Sequence, residues 1–301
     1  MAIHRIEDGR DARLADYAGV REPALLLTRG LLIAEGRFVV RRLLDAGRIR
    51  LRSLLLNDAA LKGLGDLLET VAPSVDVYVG APDVITAATG FNMHHGCLAL
   101  AERPAEISLE AVLATSRLVV VLERVVDADN VGSVFRSAEA FGVDAVLLSP
   151  GCCDPLYRKA IRTSSGAALV VPFAAAASWP TALDGLRTAG FTIAAMTPDR
   201  DAMDIGEFVG TAAARGRIAV LLGTEGQGLT AEALARADVR LRIPMSSSGA
   251  LDSLNIATAA GIALHRLHEV RPMGAISSPG RLSGPGCRAS WMDRNLKTPR
   301  G

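Results

Sequence analysis

The sequence predicts an α/β protein built mainly on a parallel sheet, and three observations carry that prediction. Half of the 301 residues are hydrophobic, mostly Ala, Val and Leu, while aromatics make up only 4%. From residue 117 onwards, short apolar runs alternate with helix-length amphipathic segments, the rhythm of strands joined by crossover helices. Runs such as RLVVVLE and RIAVLLG are apolar without alternation, as strands covered on both faces are.

Residues 1–104 read as one small α/β domain. FVVRRLLDAG has helical spacing and a terminal Gly47, and IRLRSLLL reads as a strand. DAALKGLGDLLETV is a helix, VDVYVG a strand, PDVITAATG a helix ending at Gly90, and GCLALAERP a final strand. Residues 105–116 form a linker with a short helix. In 117–270, strand RLVVVLE leads to helix NVGSVFRSAEAFG, and VDAVLLS to PLYRKAIRTSSGA. Strand LVVPFA, helix WPTALDGLRTAG, strand FTIAAMT and helix DIGEFVG follow. RIAVLLG, helix TAEALARA, strand VRLRIPM and a long helix SLNIATAAGIALHRLHEV complete the domain. The tail, 271–301, is rich in Gly, Ser and Pro and is expected to be disordered.

Composition narrows the function. No apolar run approaches the roughly 18 residues of a membrane span, and the charged N-terminus lacks a signal-peptide core. A cytoplasmic protein without membrane contact is expected. Cys97, Cys152, Cys153 and Cys287 form no CxxC pair and have no His at metal-ligand spacing, so no metal site is expected. Net charge is only +1, yet residues 37–52 hold six arginines against one acid, Asp45. Arg37, Arg41 and Arg42 on that helix are either a solvated face or a contact for an RNA backbone, which arginine suits geometrically. His94 is either an RNA contact or a structural loop histidine.

Three stretches carry the chemistry. In DNVGSVFRSAEAFGV, Asn130 reads as a helix N-cap and Gly142 as its end. Val131, Val134, Phe135, Ala138 and Phe141 share one face, with Arg136 on the opposite side. In LLGTEGQGL, a glycine turn follows a strand but lacks the Lys that a phosphate loop carries after its last glycine. It carries Glu225 instead, which favours a ligand without phosphate. In IPMSSSGALDSLNIATAAGIALHRL, a strand ends at Pro244, a polar loop follows, and Ser253 or Asn255 caps a long helix. The first strand-to-helix turn of this domain has no G-x-G-x-x-G, which argues against a nicotinamide oxidoreductase.

In this order, the three stretches resemble the signature motifs of the SpoU (TrmH-like) RNA methyltransferases, of the SPOUT class, over about 117–270. The first domain is similar to ribosomal kink-turn-binding proteins, through LLIAEGRFVVRRLL (31–44) and FNMHHGCLALAERP (91–104). Relatives often have His-Gln-Gly where this chain has His94-His95-Gly96, and the loop between Met245 and Ser253 is slightly longer than usual. The resemblance implies a deep trefoil knot, S-adenosylmethionine as cofactor and a homodimer with the site near the subunit interface. It implies methyl transfer to a ribose 2′-hydroxyl in structured RNA, ribosomal RNA before transfer RNA, with a catalytically inactive RNA binder as the alternative.

Matching positions imply that Leu222, Gly223, Gly228, Ile243, Met245, Ser253 and Leu254 line the cofactor pocket. Arg136 takes the central catalytic position, as a neutral base of unusual kind or as an electrostatic clamp. Asn130 holds Arg136 or the ribose, and Ser253 and Asn255 order the site. Glu225 orients Arg136 or an arginine of a partner subunit, and the sequence leaves both open.

Overall fold

A computed structural model describes residues 2–18, 22–47, 49–90, 96–246 and 253–271. His94 and the expected tail beyond Arg271 therefore lie outside the described residues, as does Arg48. The chain opens with β1 (Ala2–Ile6), α1 (Glu22–Arg29), β2 (Leu31–Glu35), α2 (Arg37–Ala46) and β3 (Leu51–Leu56). It continues with α3 (Asp58–Gly63), α4 (Gly65–Leu68), β4 (Asp76–Gly80), α5 (Pro82–Thr89) and β5 (Cys97–Glu102). These five strands form one sheet in the order β1-β4-β3-β5-β2, with β5 antiparallel to both of its neighbours. Gly47 and Gly90 end α2 and α5 in the left-handed region, which glycine adopts without steric cost.

After α6 (Leu109–Thr115), capped by Ser108, comes the second sheet. Its elements are β6 (Leu118–Glu123), α7 (Ala128–Ala140), β7 (Ala145–Leu148), α8 (Arg158–Thr163), β8 (Phe173–Ala175) and α9 (Ala182–Thr188). Then follow β9 (Phe191–Met196), β10 (Met203–Asp204), α10 (Ile205–Phe208), β11 (Arg217–Gly223), α11 (Ala231–Leu234), β12 (Val239–Arg242) and α12 (Ile256–Glu269). The order is β10-β12-β9-β11-β6-β7-β8, and every paired neighbour is parallel.

Burial on both faces explains the unbroken apolar runs. Leu118, Val120 and Leu122 of β6 point into a core shared with α7 and α12, while Val119 and Val121 join one shared with α9. Strand side chains alternate faces, so a sheet with helices on both sides needs apolar residues at consecutive positions. Residues Met1–Arg271 form one compact unit. Within it, Leu156, Ile161 and Leu169 from the second half join the core beneath the first sheet. Arg42 of α2 pairs with Glu139 of α7 and donates to the Ser165 carbonyl at 3.1 Å. Glu35 at the end of β2 is 5% exposed and faces Arg158 and Arg162 of α8 at 3.6 and 3.7 Å.

The structure differs from the sequence reading in several places. Asp127, not Asn130, caps α7, accepting from the Asp129 and Asn130 N–H groups at 2.7 and 3.0 Å. Both residue types cap well, and the helix takes the earlier one, which places Asn130 in its first turn. The strand expected over LVVPFA is only Phe173–Ala175, because Ala167–Leu169 turn as a 3-10 helix and Pro172 offers no N–H to a ladder. Residues 2–35 supply β1, α1 and β2, where the sequence assigned no element.

Two outcomes follow. A Cβ on Gly132 would lie 2.7 Å from the Ala160 carbonyl oxygen and 2.9 Å from the Thr163 Cβ, so α7 and α8 meet closely there. Gly132→Ala is expected to cost about 1–3 kcal/mol, read as a fall of several degrees in the thermal midpoint. Burial pushes the Cys97 thiol up to about 12. The thiolate is the reactive form, so mass spectrometry after alkylation at pH 8 should find Cys97 unlabelled in folded protein and labelled after denaturation.

Candidate active site at the carboxyl ends of the strands

β9, β11 and β12 are parallel, so their carboxyl ends share one sheet edge, where open parallel sheets bind ligands. The segments leaving those ends enclose a cavity of about 550 Å³. Met196, Thr197 and Pro198 contribute from β9, the 223–229 turn from β11, and Ile243, Met245 and Ser253–Ile256 from the segments after β12. Leu222, Gly223, Gly228, Ile243, Met245, Ser253 and Leu254 all line it, as do Glu225 and Asn255. Among the described residues, no Lys, Arg or His lines the cavity.

The glycine turn is closed on itself. The Gly228 N–H donates to the Thr224 carbonyl at 2.9 Å, and Gly226 and Gly228 have φ of +81° and +67°. A Cβ on Gly223 would lie 2.3 Å from the Gly228 carbonyl carbon, so only glycine permits this approach.

Asn255 ties the three sequence stretches together. Its Oδ1 caps α12, accepting from the Ala257 and Thr258 N–H groups at 2.9 and 3.3 Å. Its Nδ2 donates to Glu225 Oε1 at 2.6 Å and to Asn130 Oδ1 at 3.0 Å. Both ends of one amide are thus engaged, which fixes its orientation. Ser253 is exposed at the rim. Beside Asn130, hydrogen bonds from Lys159 and Thr163 hold the Asp129 carboxyl below its usual range.

Arg136 does not line this cavity, is exposed on α7 and makes no hydrogen bond or ion pair with the described residues. Six positions along the helix separate it from Asn130, about 9 Å along the axis and about 120° around it, so the two side chains leave α7 in different directions. Of the arginine-rich helix, Arg37 is exposed. Arg41 pairs with exposed Asp66 at 3.0 Å, and Arg42 turns inward to Glu139 with 20% side-chain exposure. The Arg41–Asp66 hydrogen bond raises the guanidinium and lowers the carboxyl from their ordinary values. Sequence reasoning passed over Glu123, fully buried at the end of β6, and its partners Trp179 and Thr230. The available signal was a carboxylate closing an otherwise apolar strand.

Residues 117–265 match the SpoU rRNA Methylase family. An uncharacterised tRNA/rRNA methyltransferase of Mycobacterium bovis is 46% identical over 261 residues, covering 87% of each chain. The chain belongs to the SpoU rRNA methylase family. The Bacillus subtilis 23S rRNA (guanosine(2553)-2′-O)-methyltransferase RlmP is 26% identical, covering 88% of this chain and 99% of its own. A crystal structure of an RNA 2′-O ribose methyltransferase superposes with a TM-score of 0.74 at 27% identity, covering 89% of this chain and 99% of that one. The family model thus matches the second sheet, while similarity to these proteins extends over both.

Asn255 separates capping from site chemistry in this SpoU-family chain. Asn255→Asp keeps an acceptor for the cap but sets an oxygen against Glu225 and Asn130. Its thermal midpoint should stay near that of the unaltered chain while methyltransferase activity falls at least about a hundredfold, an interaction loss of roughly 3 kcal/mol. Calorimetry paired with a methyl-transfer assay reads both, and retained activity would remove the triad from the site.

Proposed function

We propose that this protein transfers a methyl group from S-adenosylmethionine to a ribose 2′-hydroxyl of structured RNA, ribosomal RNA foremost, as a cytoplasmic homodimer. The observation that carries the reading is the cavity, walled by apolar side chains and a glycine turn and free of cations among its described lining residues. That lining suits a nucleoside without phosphate and tolerates a sulfonium, whereas a polyphosphate needs cationic partners. The volume lies within the range of small-molecule sites. When bound, S-adenosylmethionine supplies a methyl group activated by a positively charged sulfur.

The chain's own residues bind and orient. Leu222, Ile243, Met245 and Leu254 provide apolar walls, and the 223–228 backbone offers amide and carbonyl groups. Glu225, Asn255 and Asn130 form a fixed polar patch at the edge of the pocket. The 2′-oxygen develops negative charge as it attacks, and a guanidinium stabilises that charge better than it removes a proton. Arg136 of a partner copy is the group assigned to this task, which its exposure and its lack of a hydrogen bond or ion pair among the described residues support. The same reading takes the second half as a trefoil knot and the first sheet as an RNA-docking module. Arg37 and Arg41 then meet phosphates, since a surface ion pair such as Arg41–Asp66 is weak enough to exchange. Arg42, engaged within the fold, serves the joint between the sheets.

Arg136→Ala should abolish methyl transfer while calorimetry still detects S-adenosylmethionine binding. Mixing inactive Arg136→Ala with inactive Asn255→Asp should restore up to about a quarter of the activity if sites are completed across a two-fold interface. No recovery after verified subunit exchange would place Arg136 in its own chain's site. The Arg37→Ala/Arg41→Ala pair should weaken RNA binding and reduce the slope of log affinity against log salt by about 2. An unchanged slope would exclude both from the footprint.

A further inference from the structure

Glu123 is a buried carboxylate that the proposed reaction does not use. It ends β6, is 0% exposed, and sits in register with Gly223 of β11, where the cofactor turn begins. Its Oε2 accepts the Thr230 N–H at 2.8 Å, and its Oε1 accepts the Thr230 hydroxyl at 2.7 Å and the Trp179 indole N–H at 2.5 Å. Two of these groups can only donate. The Thr230 hydroxyl is directed the same way, because its oxygen also accepts the Ala233 N–H as the cap of α11. Three donors converge on one group, so the ionised carboxylate satisfies the cluster, whereas an amide would set an N–H against an N–H.

The placement gives this cluster a purpose. The glycine turn is held at its start by Gly223 in β11 and at its end by Leu229 and Thr230. Leu229 lines the cavity and, like Trp179, packs against the core on that face of the sheet. Glu123 therefore clasps the exit of the turn to the strand beside its entry. We infer that Glu123, through Thr230 and Trp179, is the positioning residue that holds the glycine turn in its cofactor-binding shape. This inference rests on the S-adenosylmethionine reading above. It assigns Glu123 no contact with cofactor or RNA.

The test uses the full-length protein, S-adenosylmethionine titration calorimetry, steady-state kinetics and thermal melting. Glu123→Gln, nearly isosteric, should raise the cofactor Kd about tenfold or more, the loss expected for hydrogen bonds to a charged group. The KM for cofactor should rise in parallel, with kcat at saturating cofactor nearly unchanged. Trp179→Phe, which removes one donor and leaves no unpaired N–H, should give a smaller rise of the same kind. It carries the test if Glu123→Gln does not fold. A lowered thermal midpoint with unchanged Kd in either folded variant would assign the cluster to folding alone and overturn the proposal. Failure of the unaltered protein to bind S-adenosylmethionine would instead sink the cofactor reading, and this inference with it.

Discussion

The site depends on one close approach of backbone to backbone. Gly223 and Gly228 lie nearer than any side chain would permit, so the turn leaving β11 folds back over its own entrance. That closure turns the turn's backbone towards the cavity and sets Glu225 where Asn255 reaches it. The polar patch, the lining and the start of α11 all follow from it. A side chain at Gly223 would disturb every one of them together.

Much of this was legible in the sequence, for identifiable reasons. Consecutive apolar residues in RLVVVLE and RIAVLLG require cover on both faces, and helices on the two sides of the sheet supply it. The glycine turn, with Glu225 and no Lys, argued against a phosphate loop on chemical grounds. The residues marked for the cofactor pocket do face one cavity, because parallel strands bring their carboxyl ends to one edge.

Other features were not legible. Asn130 and Asp127 are both good caps, and nothing local chooses between them. The choice appears when Asn130 is found bonded to Asn255, 125 positions along the chain. Glu123 drew no reading from the sequence, because its three donors come from segments remote along the chain. Arg42 looked interchangeable with Arg37 and Arg41, yet its helix phase turns it toward Glu139. Periodicity shows which face of an element is apolar but cannot name the partner across a tertiary contact.

The joint between the two sheets has a mechanical consequence. Apolar packing of Leu156, Ile161 and Leu169, the Arg42–Glu139 pair and buried Glu35 facing two arginines leave little freedom for a hinge. An RNA held on the first sheet would then sit at a set distance from the cavity, as if measured by a caliper. Selection of the nucleotide would follow from the span between the two points of contact, with no need for the pocket to read the base.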